Sequence, residues 1–268
     1  MKRKLASIKN KLLPICTFCL ILLLWWGISA SGLVPSYMLP SPIKVGEAFI
    51  KDFPNLMTHA AVSLQEAIYG LIIGVFLAFI TATLMDRFET LEKALLPLLV
   101  VTQTIPTIAI APLLVLWMGF GMAPKITLVV VTTFFPIAVG LLDGYKSVDH
   151  DEIDLLRSMK ANRLQIFTHV KIPAALPYFF SGLKVSASYA VVGAVISEWL
   201  GGFDGLGVYM TRVRKAYAFD KMFAVIILII IVSLILMALV DLLKVISMPW
   251  KSVKDNQNDQ SNIKKKEI

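Results

Sequence analysis

Six long apolar runs organise the chain: residues 12–30, 60–84, 95–120, 126–142, 176–200 and 222–240. Each is near or above the ~20 residues that a helix needs to cross ~30 Å of hydrocarbon at ~1.5 Å per residue. Lipid offers backbone groups no water to bond, so runs of this length in a bilayer have to be helical. The pattern predicts an all-α, polytopic membrane protein with six transmembrane helices. Its spans form one domain over 12–246, flanked by a short N-terminus at 1–11 and a polar tail at 247–268. No run is left over to build a water-soluble domain.

The longest polar interruption, from Tyr145 to Pro177, carries five basic and four acidic side chains. It cannot enter a bilayer, yet it keeps helical order. Asp149 followed three residues on by Glu152 reads as a capping box. Ile153, Leu156, Met159 or Lys160, Leu164, Phe167 and Val170 then recur at helical spacing. Pro173 and Pro177 are expected to stop that helix and start the next. Leu156, Leu164 and Phe167 form an apolar stripe too small to be its own core, so the helix is expected to rest on a partner.

The other segments add detail. After the first run, Leu39-Pro40-Ser41-Pro42 is rigid and extended, and residues 43–56 form a short amphipathic helix. In the second run, Gly70 and Gly74 permit close helix contact within the bundle, and Glu66 is either near a polar end or faces the bundle interior. The third run carries Gln103-Thr104-Ile105-Pro106 and then Pro112; prolines there free carbonyls and break the helix. Polar groups beside a broken span mark a pathway or only a change of shape. The fifth run holds Lys184, close enough to its end to snorkel, and Glu198, a gate or solute contact or an interfacial charge paired with Arg212 or Arg214. The glycine-rich Gly201–Gly207 follows no strand, which argues against a dinucleotide loop and for a re-entrant turn.

Composition changes this picture little: 57% of residues are hydrophobic and the mean hydropathy is +0.75. The charge adds orientation. Lys2, Arg3, Lys4, Lys9 and Lys11, the basic residues of 146–171 and the lysine-rich tail all fall on one side of the six spans. The positive-inside rule puts both termini and the 145–172 loop in the cytoplasm of a cell-membrane protein. The same bias accounts for the net +8 as a face turned to anionic membrane lipid rather than to nucleic acid. The basic start mimics a signal peptide, but the apolar core continues to Ala30 without a small-residue cleavage site, which predicts a retained first span. Cys16 and Cys19 inside it read as two small apolar residues rather than a metal or redox pair.

Residues 170–202, VKIPAALPYFFSGLKVSASYAVVGAVISEWLGG, resemble the loop and fifth span of ATP-binding-cassette importer permeases. That family's pattern is Glu-Ala-Ala, three residues, Gly, nine residues, Ile, one residue, Leu-Pro. Counted back from Val170-Lys171-Ile172-Pro173, Asp154, Leu155 and Leu156 stand at the Glu-Ala-Ala positions and Lys160 stands where the family has Gly. The third run, with Pro106, Pro112 and Trp117-Met118-Gly119-Phe120-Gly121, is similar as well. The LPSP segment and the SEWLGGFDGLGVYM ending look like the branch for nitrate, sulfonates, taurine and thiamine-precursor pyrimidines.

The resemblance implies a permease that imports a small solute, paired with a second copy of itself, driven by a dimer of a separate ATP-binding ATPase subunit and fed by an extracellular solute-binding protein. It implies an ATPase-coupling loop carried by Asp154, Leu155, Leu156, Lys160, Ala161, Leu164, Phe167 and Pro173. Gln103, Thr104, Pro106 and Glu198 are the expected translocation-pathway residues.

The chain has no G-x-x-x-x-G-K-[ST] and is expected to bind no cofactor. His59, His150 and His169 are spread apart, so no metal site is expected, and no serine–histidine or paired-carboxylate arrangement suggests an enzyme. The rival is an ion-coupled carrier, which would need ionisable groups deep in the spans and internal repeats. The sequence reads as nearly uncharged there and shows no repeat.

Overall fold

The computed structural model describes residues 2–35 and 37–249, with side chains from residue 12 onward. The polar tail and the basic side chains of the N-terminus lie outside the described residues. Everything regular is helical, with no strand among the described residues. The helices are α1 (Lys2–Ala30), α2 (Pro42–Lys51), α3 (Phe53–Arg87), α4 (Glu89–Thr104), α5 (Thr107–Met118), α6 (Met122–Lys146), α7 (His150–Ser158), α8 (Arg163–Ile166), α9 (Ile172–Glu198), α10 (Leu206–Lys215) and α11 (Phe219–Ser247). Five stretches are long and apolar enough to cross a membrane alone: Leu12–Ala30, Phe53–Arg87, Met122–Lys146, Arg163–Glu198 and Phe219–Ser247. The sixth predicted span is α4 plus α5, bent by 101°. Pro106 makes that break: it has no N–H to give the turn before it. Pro112 lies inside α5 without ending it.

The core of the bundle is α3, α6 and α9. Their contact surfaces are small: Ala67, Ala78, Ala82, Ala138, Ala187, Ala190 and Ala194 are all buried. In lipid there is little hydrophobic drive to bring helices together, so close backbone approach through small residues supplies the attraction. A Cβ on Gly182 of α9 would stand 2.3 Å from the Pro136 carbonyl oxygen of α6, so these two backbones touch. Gly70 and Gly74 seat α3 in the same way against Val129 and Thr133 of α6, where a Cβ would come within 2.4 and 2.5 Å of their side chains. Larger side chains such as Ile72, Phe76 and Ile80 face outward. Lys184, expected to snorkel, instead donates to Asp241 of α11 at 2.6 Å.

α1 stands apart. Its apolar stretch is unburied, and Cys16 and Cys19 are free and exposed on it. It is tethered by Trp25, whose indole N–H donates to the Pro40 carbonyl at 3.1 Å and whose ring stacks on Phe223. The amphipathic helix expected at 43–56 ends sooner, as α2 at Lys51, and α3 begins at Phe53.

The polar segment corrects two expectations. The single helix read over 149–170 is two helices with a tight turn at Lys160–Ala161. The apolar spacing runs on through that turn, which is why one helix was expected. Asp149 does cap α7, accepting from the Asp151 N–H at 3.1 Å, but the reciprocal capping box belongs to Asn162 and Gln165 at the start of α8. Pro173 and Pro177 interrupt nothing: helical backbone continues from Arg163 to Glu198. A π-helical turn over Phe167–Lys171 leads into Pro173, and the wider turn just before it is where the continuous helix takes up the proline. The bundle thus has a hinge end, where Asp86, Lys146 and Lys171 meet α7 and α8, and a far end, where α3 and α6 begin and α9 stops.

Candidate functional site

Polar side chains gather in three places. At the far end, α3 lines up His59, Ser63 and Glu66 on one face, four and three residues apart. α6 adds Lys125 and α9 adds Glu198. Lys125 Nζ donates to Glu66 Oε1 at 2.7 Å, and Ser63 Oγ donates to Glu198 Oε1 at 2.6 Å. The Gly207 N–H donates to Glu198 Oε2 at 2.6 Å, the Leu206 N–H to Ser63 Oγ at 2.8 Å, and the Gly205 N–H to His59 Nδ1 at 3.1 Å. Glu198 and Glu66 are 1% exposed and Lys125 5%, so this is an interior network and not a wet rim. Only Glu66 Oε2 is left without a hydrogen-bond partner among the described residues. His59 stacks on Tyr209, whose hydroxyl donates to Asp52.

The glycine-rich segment makes this network possible. Gly205 has φ +122, and a Cβ there would lie 2.2 Å from the Glu198 carboxyl carbon; one on Gly207 would lie 2.2 Å from the Val195 carbonyl oxygen. The chain folds over the carboxylate and opens α10 directly on it. Glu198 therefore serves the free N–H groups at the start of α10, where negative charge is favoured. Arg212 reaches the Phe203 carbonyl instead, at 3.3 Å, so the expected pairing of Glu198 with Arg212 or Arg214 is not made.

Midway along the bundle, the bend between α4 and α5 opens a cavity of about 250 Å³ against α6 and α9. Thr102, Gln103, Thr107, Thr132 and Tyr189 line it among isoleucine and valine side chains. Of the expected pathway residues, Gln103 faces this space and Pro106 forms the bend. Thr104 does not line it and returns its hydroxyl to the Val101 carbonyl at 2.8 Å. Glu198 lies in the far-end network, although Ile196 of the same helix reaches the cavity wall.

At the hinge end, α7 and α8 stand away from the bundle. Lys160 takes φ +60, the left-handed conformation that ends a helix. The Ala161 N–H donates to the Leu156 carbonyl and the Lys160 N–H to the Arg157 carbonyl, both at 2.9 Å. A lysine thus makes the turn that the aligned glycine would make, at a cost of about 1–2 kcal/mol for its Cβ. Asp154 pairs with Arg157 at 3.0 Å on the surface. Leu155, Met159 and Leu164 are 63%, 71% and 69% exposed. Leu156 and Ala161 are half-buried, and Phe167 is covered from within, tilted against Tyr145 at 5.3 Å. The uncovered stripe is therefore Leu155, Met159 and Leu164, not Leu156, Leu164 and Phe167. A groove of about 740 Å³ separates this hinge from the end of α3. Lys171 closes its floor, donating to both oxygens of Asp86 at 2.7 and 2.8 Å. Lys146 donates to Glu92 nearby.

Sequence reasoning missed His59, Ser63 and Lys125. The signal was there for the first two, as polar residues at helical spacing with Glu66; for Lys125, whose partner lies 59 residues away, no local pattern gives one.

The sequence model of the family described as binding-protein-dependent transport system inner membrane component matches residues 70–247. The formylaminopyrimidine transport permease protein ThiX of Halalkalibacterium halodurans is 35% identical over 252 residues, covering 94% of this chain and 99% of that protein. The taurine transport system permease protein TauC of Escherichia coli is 29% identical over 231 residues, covering 84% of each. Among solved structures, an amino acid ABC transporter crystallised with histidines shares the fold, with a TM-score of 0.60 at 16% identity over 73% of this chain and 95% of that one.

Proposed function

This chain belongs to the family of binding-protein-dependent transport system inner membrane components, and we propose that its hinge is where an ATPase subunit takes hold. It is a multi-pass membrane protein and the permease subunit of an ATP-binding-cassette importer, with ATP hydrolysed by a separate subunit. That membership replaces the ion-coupled carrier reading. In the proposed assembly two copies of the chain pair around a central path, an ATPase dimer sits on the cytoplasmic side, and an extracellular binding protein delivers the solute. Both termini and the hinge face the cytoplasm. The solute is small, a thiamine-precursor pyrimidine or a sulfonate-, taurine- or nitrate-like compound.

The observation that carries the coupling reading is the uncovered stripe of Leu155, Met159 and Leu164 on a hinge fixed by a lysine-made turn and the Lys171–Asp86 pair. Burying one such side chain contributes roughly 1.5–3 kcal/mol, so a groove on a partner covers them at a gain. Leu155→Asp and Leu164→Asp change exposed side chains and leave the buried core of the bundle untouched. Each is expected to insert normally, lose the ATPase in a pull-down from membranes, and lose uptake in parallel. Retention of the ATPase with normal uptake by both variants would remove the hinge from coupling.

Orientation has its own test, in a background with Cys16 and Cys19 changed to serine. A membrane-impermeant thiol reagent added to intact cells should label Lys51→Cys and miss Asp151→Cys. Labelling of position 151 from outside would invert the assignment.

A further inference from the structure

We propose that the cavity at the α4–α5 bend binds an uncharged solute bearing both hydrogen-bond donors and acceptors, a single aminopyrimidine-like ring rather than a sulfonate. This rests on the importer reading for its meaning in transport, though the binding itself does not depend on it. Thr102, Gln103, Thr107, Thr132 and Tyr189 are the polar members of the wall, and none of the lining residues is a lysine, arginine, histidine or carboxylate. A charged group entering an apolar bundle needs a counter-charge. Lysines of α6 and of the Arg163–Glu198 helical stretch are already committed elsewhere: Lys125 to Glu66 at 2.7 Å, Lys184 to Asp241 at 2.6 Å and Lys171 to Asp86 at 2.7 Å.

The bend sharpens the preference. The C-terminal end of α4 and the N-terminal end of α5 both border this space, through Thr102, Gln103 and Ile105 on one side and Thr107 and Ile110 on the other. The partial charges of a helix C-terminus and a helix N-terminus are opposite in sign, so the pair favours neither a cation nor an anion. Thr102 and Thr132 give their protons to the Leu99 and Val129 carbonyls of their own helices, at 2.6 and 2.9 Å, and turn lone pairs to the cavity. Gln103 and Tyr189 make no hydrogen bond to another described residue and so have both donor and acceptor capacity to offer. A ring with an exocyclic amine and ring nitrogens matches that mixture; a sulfonate, which only accepts, matches half of it. At about 250 Å³ the space is below the ~300 Å³ at which drug-sized pockets begin, which suits one ring with short substituents.

The test uses the purified full chain in lipid nanodiscs and labelled 4-amino-2-methylpyrimidine. Binding is read on the permease itself, so it is scored whether or not the ATPase remains attached; loss of the ATPase would count against the importer assembly alone. Saturable binding is expected, displaced by unlabelled pyrimidine and by neither ethanesulfonate nor zwitterionic taurine at the same concentration. Gln103→Ala and Tyr189→Phe, both facing open space, should keep the wild-type unfolding temperature and weaken binding by about tenfold for each lost bond. Displacement by ethanesulfonate as effective as by the pyrimidine, no saturable binding, or full affinity in both variants would each overturn the proposal.

Discussion

At the far end of the bundle, His59, Ser63, Glu66, Lys125 and Glu198 are buried together, and the chain between α9 and α10 is moulded on one carboxylate with no room for a methyl group. At the hinge end, the ion pairs lie at the surface or half-buried, leucines face outward and a lysine holds a turn that glycine would hold more easily. Both ends are polar, so polarity alone does not tell them apart. What differs is what completes them. Among the described residues the far end is satisfied except for one carboxylate oxygen, and the hinge end has apolar surface that they do not cover. An end closed on itself keeps a shape, and an end left uncovered takes one from its partner.

Three substitutions probe that contrast, in falling order of effect. Lys125→Ala should be the most damaging, because it leaves Glu66 buried without the lysine that donates to it. Stranding one partner of a buried pair costs about 3–5 kcal/mol, expected as a large drop in the thermal unfolding midpoint in detergent. Adding Glu66→Gln to Lys125→Met should restore much of it. A wild-type midpoint for Lys125→Ala would mean that the far end is not the locked one. Gly205→Ala comes next. It forces a methyl group against the Glu198 carboxylate at a φ that side chains avoid, for a combined cost of about 3 kcal/mol. The same midpoint reads it, and Asp204→Ala beside it serves as a control that should change little.

The smallest effect runs the other way. Lys160→Gly removes the Cβ from a left-handed position but adds freedom to the unfolded chain, for a net gain of about 0.5–1 kcal/mol at the hinge. Slower amide exchange in Arg157–Ala161, by roughly threefold, is the expected reading. Faster exchange would show that Lys160 makes a contact worth more than its strain.

How far each end was legible in the sequence follows from the range of its contacts. Spans were readable because lipid forces every long apolar run into a helix. The hinge was readable in register, since its turn is a local backbone event: Lys160 stands at the glycine position of the family pattern and adopts the glycine conformation regardless of its side chain. What failed there was finer. Apolar spacing that persisted across the turn disguised two helices as one, and placed Phe167 with the exposed residues when it faces Tyr145. The far end was illegible because its partners are remote. Ser63 meets Glu198 across 135 residues and Lys125 meets Glu66 across 59. In sequence, Glu66 fits a polar end or the interior equally well, and the glycines indicate only a turn. No local pattern says that one turn is folded over one acid.

The unbroken helical stretch from Arg163 to Glu198 has a mechanical meaning. At ~1.5 Å per residue its 36 residues make a rod of about 54 Å. It begins in the hinge beside Leu164, forms one wall of the cavity at Tyr189 and ends at the carboxylate on which the far end is built. Near its middle, Gly182 bears directly on the Pro136 carbonyl of α6, with nothing softer between the two backbones. The rod is thus splinted along α6 and not pinned at one point, because a Cβ on Gly140 or Gly144 of α6 would lie 2.9 Å from the Tyr178 carbonyl oxygen and 2.5 Å from the Ala175 Cα. The two helices that share the cavity wall are joined as one stiff piece.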